Sequence, residues 1–547
     1  MSKSLIDNEE ANLSPGIDRF IVFNRYTIFL CLTYELVIVS QVGNVIYMIF
    51  AAASPDIVGC GMTIFNETLS QREACEQYEV LTKFENHSCK PILEYQFRSI
   101  GVEWGYFCSE TVKVKNVVSF QMFGTIIGGI LFGQCSDLFG RKKPLFQTII
   151  ICLAMTALSG ILSSFAVDLF MFAISRTFVG FFVGGNSIVM YVYVIENIPI
   201  NARVKVNTFV TWSPNFLVLS LIAYLTGSWD RLAVAVNLLA APSLLCFIFL
   251  YESPRWLMQK GRLNEAKQII IAMNTWGQSA EKKQYRHAEE VTNALENSHT
   301  ASRELLHRKR YYFYHLFSSW KLLRYSVVLS FSCFSNAIAF YGLLFNLEKI
   351  SGSLYMNTWI LGAFRYILNI MLATVDHAFT SVGRKFVHTM SIIIFILSMA
   401  FIVVLIKTDL SLEFKGLIRI LTLTGMGTIS ILFIVNILSC AELFPTAIRN
   451  LASANVSTWN RIGCILAPQL IYLDEIEQSL PYIVLITLLS IDALSFLIFL
   501  PETKSRPLKD RMPPKEKLIL RSCKATRAMT VSNDDNDDDN LNCLVDK

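Results

Sequence analysis

Apolar residues fall into twelve long runs, near 27–49, 117–136, 145–165, 169–195, 206–227, 231–251, 325–345, 356–377, 386–406, 415–439, 450–472 and 480–500, each closed by a short polar or charged turn. A helix needs about 20 residues to cross a hydrocarbon core of roughly 30 Å, so every run is long enough to span a membrane. The pattern predicts an all-α membrane protein with twelve transmembrane helices in two six-helix bundles, 27–251 and 325–500. A polar stretch at 252–324 links the bundles, and polar tails occupy 1–26 and 501–547. The amino terminus is acidic and polar ahead of the first run, so it reads as retained chain and not as a cleaved signal.

The closing turns repeat. Glu196-Asn197-Ile198-Pro199-Ile200-Asn201-Ala202-Arg203 returns as Glu442-Leu443-Phe444-Pro445-Thr446-Ala447-Ile448-Arg449, Gly140-Arg141-Lys142 as Gly383-Arg384-Lys385, and Glu252 after the sixth run as Glu502 after the twelfth. The steps between partners are nearly equal, which marks a duplication of the six-helix unit. Paired bundles place a substrate site between two halves that rock against each other. The turns also suggest a mechanical role. Asp137 and Arg141, with Glu196, Arg203, Glu442 and Arg449, supply charges that pair across span ends and brace one face shut.

Composition points the same way. The chain of 547 residues is 53% hydrophobic, 12% aromatic and only 17% charged, with a mean hydropathy of +0.45, too apolar for a soluble domain. Lys and Arg of short loops stay cytoplasmic. Arg141-Lys142-Lys143, Arg203, Arg384-Lys385 and Arg449 occupy alternate loops, which puts that side, the linker and both termini in the cytoplasm. A net charge of +5 fits basic cytoplasmic loops and calls for no nucleic acid.

Residues 53–115 form the one long segment on the other side, carrying Cys60, Cys75, Cys89 and Cys108 and the glycosylation sequons at Asn66 and Asn86. These features predict an extracellular domain with two disulfides, in any of three pairings. The other nine cysteines read as buried small apolar residues. The seven histidines show no metal-ligand spacing, and no phosphate-cradling glycine loop is present. The expectation is therefore a protein with no catalytic residues, no metal and no cofactor. The tail from Lys517, with its run of aspartates near the end, reads as disordered.

With these residues in place, the chain resembles the major facilitator superfamily and, within it, the organic cation, organic anion and carnitine transporter family. The likeness rests on the cysteine-bearing first loop, Glu103-Trp104 with Cys108, Gly133 to Lys143, Arg176-x-x-x-Gly180-x-x-x-Gly184, Tyr251-Glu252-Ser253-Pro254-Arg255-Trp256-Leu257, Phe340-Tyr341-Gly342-Leu343 and Ala441 to Thr446. One departure stands out. Thr380 occupies the position where an Asp is expected before Gly383, so bracing in the second half is incomplete unless Asp376 substitutes.

Ionisable groups inside spans are costly and mark function. Arg461 sits midway along the eleventh run, and the resemblance implies that anion and carnitine carriers hold Arg there where cation carriers hold Asp. Arg365 in the eighth run reads either as a second ligand or as a structural cation, and Asp492 in the twelfth could neutralise at most one of the two. In the first half, Glu35 and Arg176 form either a buried pair or separate sites. Glu35 would then hold the ammonium of a zwitterion or carry a proton. Gln41, Asn44 and Tyr341 complete the expected cavity. The sequence thus predicts a secondary-active or facilitative transporter of small organic ions in the plasma membrane, most directly organic anions, by alternating access. A carnitine, zwitterion or organic cation carrier is the nearest alternative, and a receptor-like protein on a transporter scaffold is a further one.

Overall fold

The computed structural model describes residues 20–65, 69, 71–84, 90–139, 148–276, 313–379, 382–411 and 413–504. Among these residues, twelve helices correspond to the twelve apolar runs. In the amino-terminal half they are α1 (Arg25–Ile46), α2 (Thr111–Phe139), α3 (Thr148–Ser163), α4 (Leu169–Asn197), α5 (Asn215–Thr226) and α6 (Trp229–Phe247). The carboxyl-terminal half holds α7 (Trp320–Leu344), α8 (Leu354–Ala378), α9 (Arg384–Lys407), α10 (Lys415–Leu443), α11 (Thr446–Leu466) and α12 (Leu480–Phe499). Three depart from the simple spanning pattern. The described parts of α3 and α5 are short, and α11 is too polar to read as a span by hydropathy because it carries Arg449, Asn455, Asn460 and Arg461. The fifth run is also broken: a helix over Ile200–Phe209 ends before Pro214, and α5 starts only after that proline. Proline has no N–H to donate and its ring crowds the preceding turn, so a helix restarts after it more readily than it runs through.

Glycines let α2 and α4 approach backbone to backbone. A Cβ placed on Gly128 would lie 1.7 Å from the Phe181 carbonyl oxygen, and one on Gly184 would lie 2.1 Å from that of Thr125. Small residues at such crossings replace a hydrophobic driving force that lipid cannot supply. The Arg176-x-x-x-Gly180-x-x-x-Gly184 spacing is therefore a packing stripe on α4.

The loop between α1 and α2 folds as a small domain. Its sheet has the order β2 (Thr63–Ile64), β1 (Asp56–Cys60), β3 (Pro91–Glu94), all antiparallel, with Asp56 opposite Glu94. A helix over Gln71–Phe84 packs on it. Cys75 and Cys108 form a disulfide across 33 residues, and Cys60 is disulfide-bonded as well. Cys89 and the sequon residues Asn66 and Asn86 lie outside the described residues.

At the opposite end, the carboxyl-terminal half carries a complete charged network. Arg384 donates to Asp376 at 2.5 Å and to Glu442 at 3.2 Å, Lys504 pairs with Asp376 at 3.0 Å, and Thr503 donates to Glu442 at 2.5 Å. Glu502 accepts the backbone amides of Arg384 at 2.8 Å and Lys385 at 3.1 Å. Burial by itself would raise the Glu502 carboxyl, but the amides of Lys504, Arg384, Lys385 and Thr503 hold it below the usual carboxylate range. Asp376 is thus the carboxylate paired with Arg384 in this half, and among the described residues Glu442 takes Arg384, not Arg449, as its ion-pair partner. In the amino-terminal half, Glu196 and Arg203 are engaged as well, while the Asp137 side chain and Arg141 lie outside the described residues. The linker supplies helices at Pro254–Gln259 and Leu263–Asn274. The second is tied to the start of α1, where Asn24 donates to the Met273 carbonyl at 3.0 Å and Asn274 to that of Phe20 at 2.8 Å.

Candidate functional site

At the seam between the halves, α5 faces α8 and α2 faces α11. Arg365 projects from the middle of α8 and is 9% exposed, its guanidinium lying 4.8 Å from the Phe216 ring centroid of α5 and 4.5 Å from that of Phe340 on α7. Flat, weakly hydrated guanidinium groups settle on aromatic faces in this way. Its Nε atom is buried without a hydrogen-bond partner among the described residues. Arg461 on α11 is half-buried, and the Tyr341 hydroxyl lies within electrostatic reach of both arginines. Phe433 of α10 closes the aromatic wall, 5.6 Å from Phe340 and 6.4 Å from Tyr341. Among the described residues neither arginine has an ion pair. Asp492 does not neutralise them, because it turns into the interior of the carboxyl-terminal half, where Ser332 donates to it at 3.0 Å.

Across the seam, Asn215 donates to Glu35 Oε1 at 2.8 Å, while Glu35 Oε2 is buried and unpartnered among the described residues. Asn215 and Phe216 are neighbours at the start of α5, so Glu35 and Arg365 approach one α5 turn from its two sides. Ser213, just before that turn, accepts a hydrogen bond from Asn369 of α8 at 3.1 Å.

One residue expected in the cavity is engaged elsewhere. Asn44 is fully buried, donates to Asn237 and to the Ser40 carbonyl at 3.0 Å each, and uses its own carbonyl to accept from Gln121 at 2.9 Å. Arg176 sits in the same nest, donating to Gln121 at 3.2 Å with its guanidinium 4.4 Å from the Tyr47 ring centroid. It does not pair with Glu35, because Asn44 lies toward the loop-domain end of α1 and Glu35 lies about two and a half turns away along that helix. Carbonyl and amide oxygens surround this buried cation in place of a carboxylate. Gln41, on the same helix, is buried with Nε2 unpartnered among the described residues.

The loop-domain end of the seam is closed by contacts between the halves. Lys115 of α2 pairs with Glu348 and donates to Asn346 at 3.0 Å. Gln96 accepts from the Leu354 amide at 2.7 Å, and Tyr355 donates to the Gln96 carbonyl at 2.9 Å. Ser119 donates to the Ile465 carbonyl at 2.7 Å and Ser220 to that of Tyr355 at 2.6 Å. Sequence reasoning had not singled out Lys115, Glu348, Asn215 or Phe216. Asn215 and Lys115, polar residues close to or within apolar runs, carried a usable signal. Phe216 carried none.

A family model described as Sugar (and other) transporter matches residues 61–512. The chain belongs to this family of the major facilitator superfamily. Relatives span most of it. An uncharacterized protein of Caenorhabditis elegans is 30% identical over 430 residues, covering 77% of this chain and 82% of the relative. Solute carrier family 22 member 21 of Mus musculus is 28% identical, covering 80% and 76%, and organic cation/carnitine transporter 2 of Homo sapiens is 26% identical, covering 79% and 74%. The partially occluded, inward-open structure of the xylose transporter XylE from E. coli superposes with a TM-score of 0.60 at 17% identity, over 89% of this chain and all of that one. The protein is therefore a multi-pass membrane transporter with a small-molecule substrate, and its relatives are transporters, not enzymes.

Proposed function

We propose that this transporter carries small organic anions by alternating access, with Arg365 and Arg461 holding the anionic group and Tyr341, Phe340 and Phe216 enclosing the organic body. One observation carries the reading: two guanidinium groups lie within electrostatic reach of the Tyr341 hydroxyl, and neither has a carboxylate partner among the described residues. A unit charge about 4 Å from either is worth roughly 4 kcal/mol at an effective dielectric of 20, attractive for a carboxylate and repulsive for an ammonium. Exposure of Arg461 reduces the figure and leaves its sign. Glu35 supports a second reading, a zwitterion carrier, because its unpartnered oxygen lies across the α5 turn from Arg365 and offers a site for an ammonium end. The basic loops place both termini in the cytoplasm of a plasma-membrane protein, with 53–115 outside and glycosylated at Asn66 and Asn86. On this topology the charged turns at Asp137, Arg141, Glu196, Arg203, Glu442 and Arg449 brace the cytoplasmic side, and Arg176 stiffens the first half toward the outside.

The test is uptake of labelled organic anions, carnitine and quaternary ammonium ions by cells expressing the chain, beside an Arg461→Ala variant confirmed at the surface. Anion uptake lost in the variant supports the reading. Preferred cation uptake that survives the substitution overturns it, and carnitine uptake that requires both Arg461 and Glu35 favours the zwitterion carrier.

A further inference from the structure

We propose that Asp492 is a proton-binding site inside the carboxyl-terminal half, exchanging its proton with the seam along one face of α7. This rests on the protein being a transporter and not on which organic ion it carries.

Asp492 of α12 and His388 of α9 are both 0% exposed. Ser332 of α7 stands between them, its Oγ 3.0 Å from Asp492 Oδ2 and 3.1 Å from His388 Nε2, and Asn436 of α10 donates to Ser332 at 3.0 Å. The imidazole and carboxylate are 3.6 Å apart, beyond a charge-assisted hydrogen bond, so His388 does not serve as a direct cationic donor. Its ring instead lies against Phe496 at a centroid distance of 3.7 Å. Among the described residues, the groups facing Asp492 are neutral when unprotonated or weakly polar: His388 from α9 and Ser332, Ser335 and Cys333 from α7, with Asn436 of α10 behind Ser332. Lys385, on the helix of His388, is spent on the Leu497 carbonyl at 2.7 Å. A buried carboxylate with no cation costs far more than a carboxylic acid. The group is thus held as Asp492–COOH, and it ionises only when its proton leaves.

The route out is written in α7. Asn336 is one turn from Ser332 and one turn from Phe340, so the three share a face. Asn336 is fully buried, and both its Oδ1 and its Nδ2 lack partners among the described residues. Such a side chain holds water in a site otherwise too dry for it. Asp492 Oδ1 is likewise buried and unpartnered. The proton passes from the Asp492 hydroxyl to a water held by Asn336 and on to solvent admitted beside Phe340 and Arg365 when the seam opens, leaving the carboxylate behind, and returns by the same path. No other reactant is needed.

The experiment is infrared difference spectroscopy on the purified full-length chain in lipid, without substrate, between about pH 5 and pH 9, the window in which buried carboxyl and imidazole groups exchange protons. A carboxylic-acid carbonyl band that vanishes with rising pH is expected. It should be absent from Asp492→Asn, and it should move to a different frequency in Ser332→Ala, which assigns it even if the Asn variant folds poorly. In D2O, Asn336→Leu should keep the band and slow its isotope shift by about tenfold, the factor set by about one hydrogen bond of added barrier. A spectrum unchanged in Asp492→Asn and in Ser332→Ala overturns the site, and an isotope shift equally fast in Asn336→Leu overturns the route.

Discussion

Replacing Lys115 by Met should open the loop-domain end of the seam. Lys115 is 2% exposed and Glu348 10% exposed, and their ion pair joins α2 to the segment between α7 and α8. Met preserves most of the apolar stem while removing the ammonium. Glu348 would then be left with Asn346 in the neighbourhood and with Asp56 close enough to repel it, while Lys349 is occupied by Asp474. Removing one partner of a buried pair costs about 3–5 kcal/mol in the state where the other stays buried. The closed arrangement bears that cost and an open, hydrated one does not. The equilibrium therefore shifts toward opening by about a hundredfold to a few thousandfold, at roughly 1.4 kcal/mol per factor of ten. Ser119 reports the opening, since its hydroxyl bonds the Ile465 carbonyl across the seam one turn below Lys115. A Ser119→Cys chain should react slowly with a membrane-impermeant maleimide, and the same chain with Lys115→Met should react much faster. Adding Glu348→Gln should restore part of the protection, because no lone charge then remains to be buried. Equal labelling in all three chains would refute the argument. A double variant as reactive as the single one would show that the opening comes from lost packing and not from the stranded carboxylate.

Three further outcomes are expected. If the proposed function holds, Arg365→Ala in a surface-expressed chain should lower uptake of the proposed anionic substrate by more than about tenfold, as expected from losing roughly 2–4 kcal/mol of attraction, and Arg365→Lys should recover only part because an ammonium lies less well on the Phe216 and Phe340 rings; radiolabelled uptake checks both. Gly128→Val should abolish surface expression, measured by biotinylation, because its Cβ would fall 1.7 Å from the Phe181 carbonyl oxygen and backbone cannot yield as a side chain does. The Asp56 carboxyl, which remains partly exposed, is pushed up to about 6 by burial in the loop domain and by Glu94 and Glu348. The folded protein therefore binds this proton more tightly than the unfolded chain. Its ionised form subtracts stability above about pH 6, and stability is regained as pH falls through that value. Asp56→Asn should raise Tm at pH about 7.5 and remove this component of the gain on acidification, as read by differential scanning fluorimetry.

The linear chain determined a great deal here, and the reason is the bilayer. Lipid requires each crossing to satisfy its own backbone and so favours a long apolar helix, and twelve runs, a six-plus-six division and a loop domain rich in cysteine were legible, down to the linker helix at Leu263–Asn274. A charged residue inside such a run is conspicuous for the same reason, which is why Arg365, Arg461, Glu35 and Asp492 could be singled out at all. What hydropathy does not carry is the rotation of each helix and the identity of its neighbour. Only packing decided that Asn44 and Arg176 anchor the first half through Gln121, while Glu35 reaches Asn215. Only packing decided that Asp492 turns to Ser332 and leaves both arginines without an ion pair among the described residues. Asp376 gains ion pairs at a turn lacking the expected Asp because Arg384, itself shared with Glu442, and Lys504 converge on it from elsewhere in the chain. Lys115 and Glu348 lie 233 residues apart, and a contact of that span follows from how two bundles dock, which no local pattern of apolar and polar residues encodes.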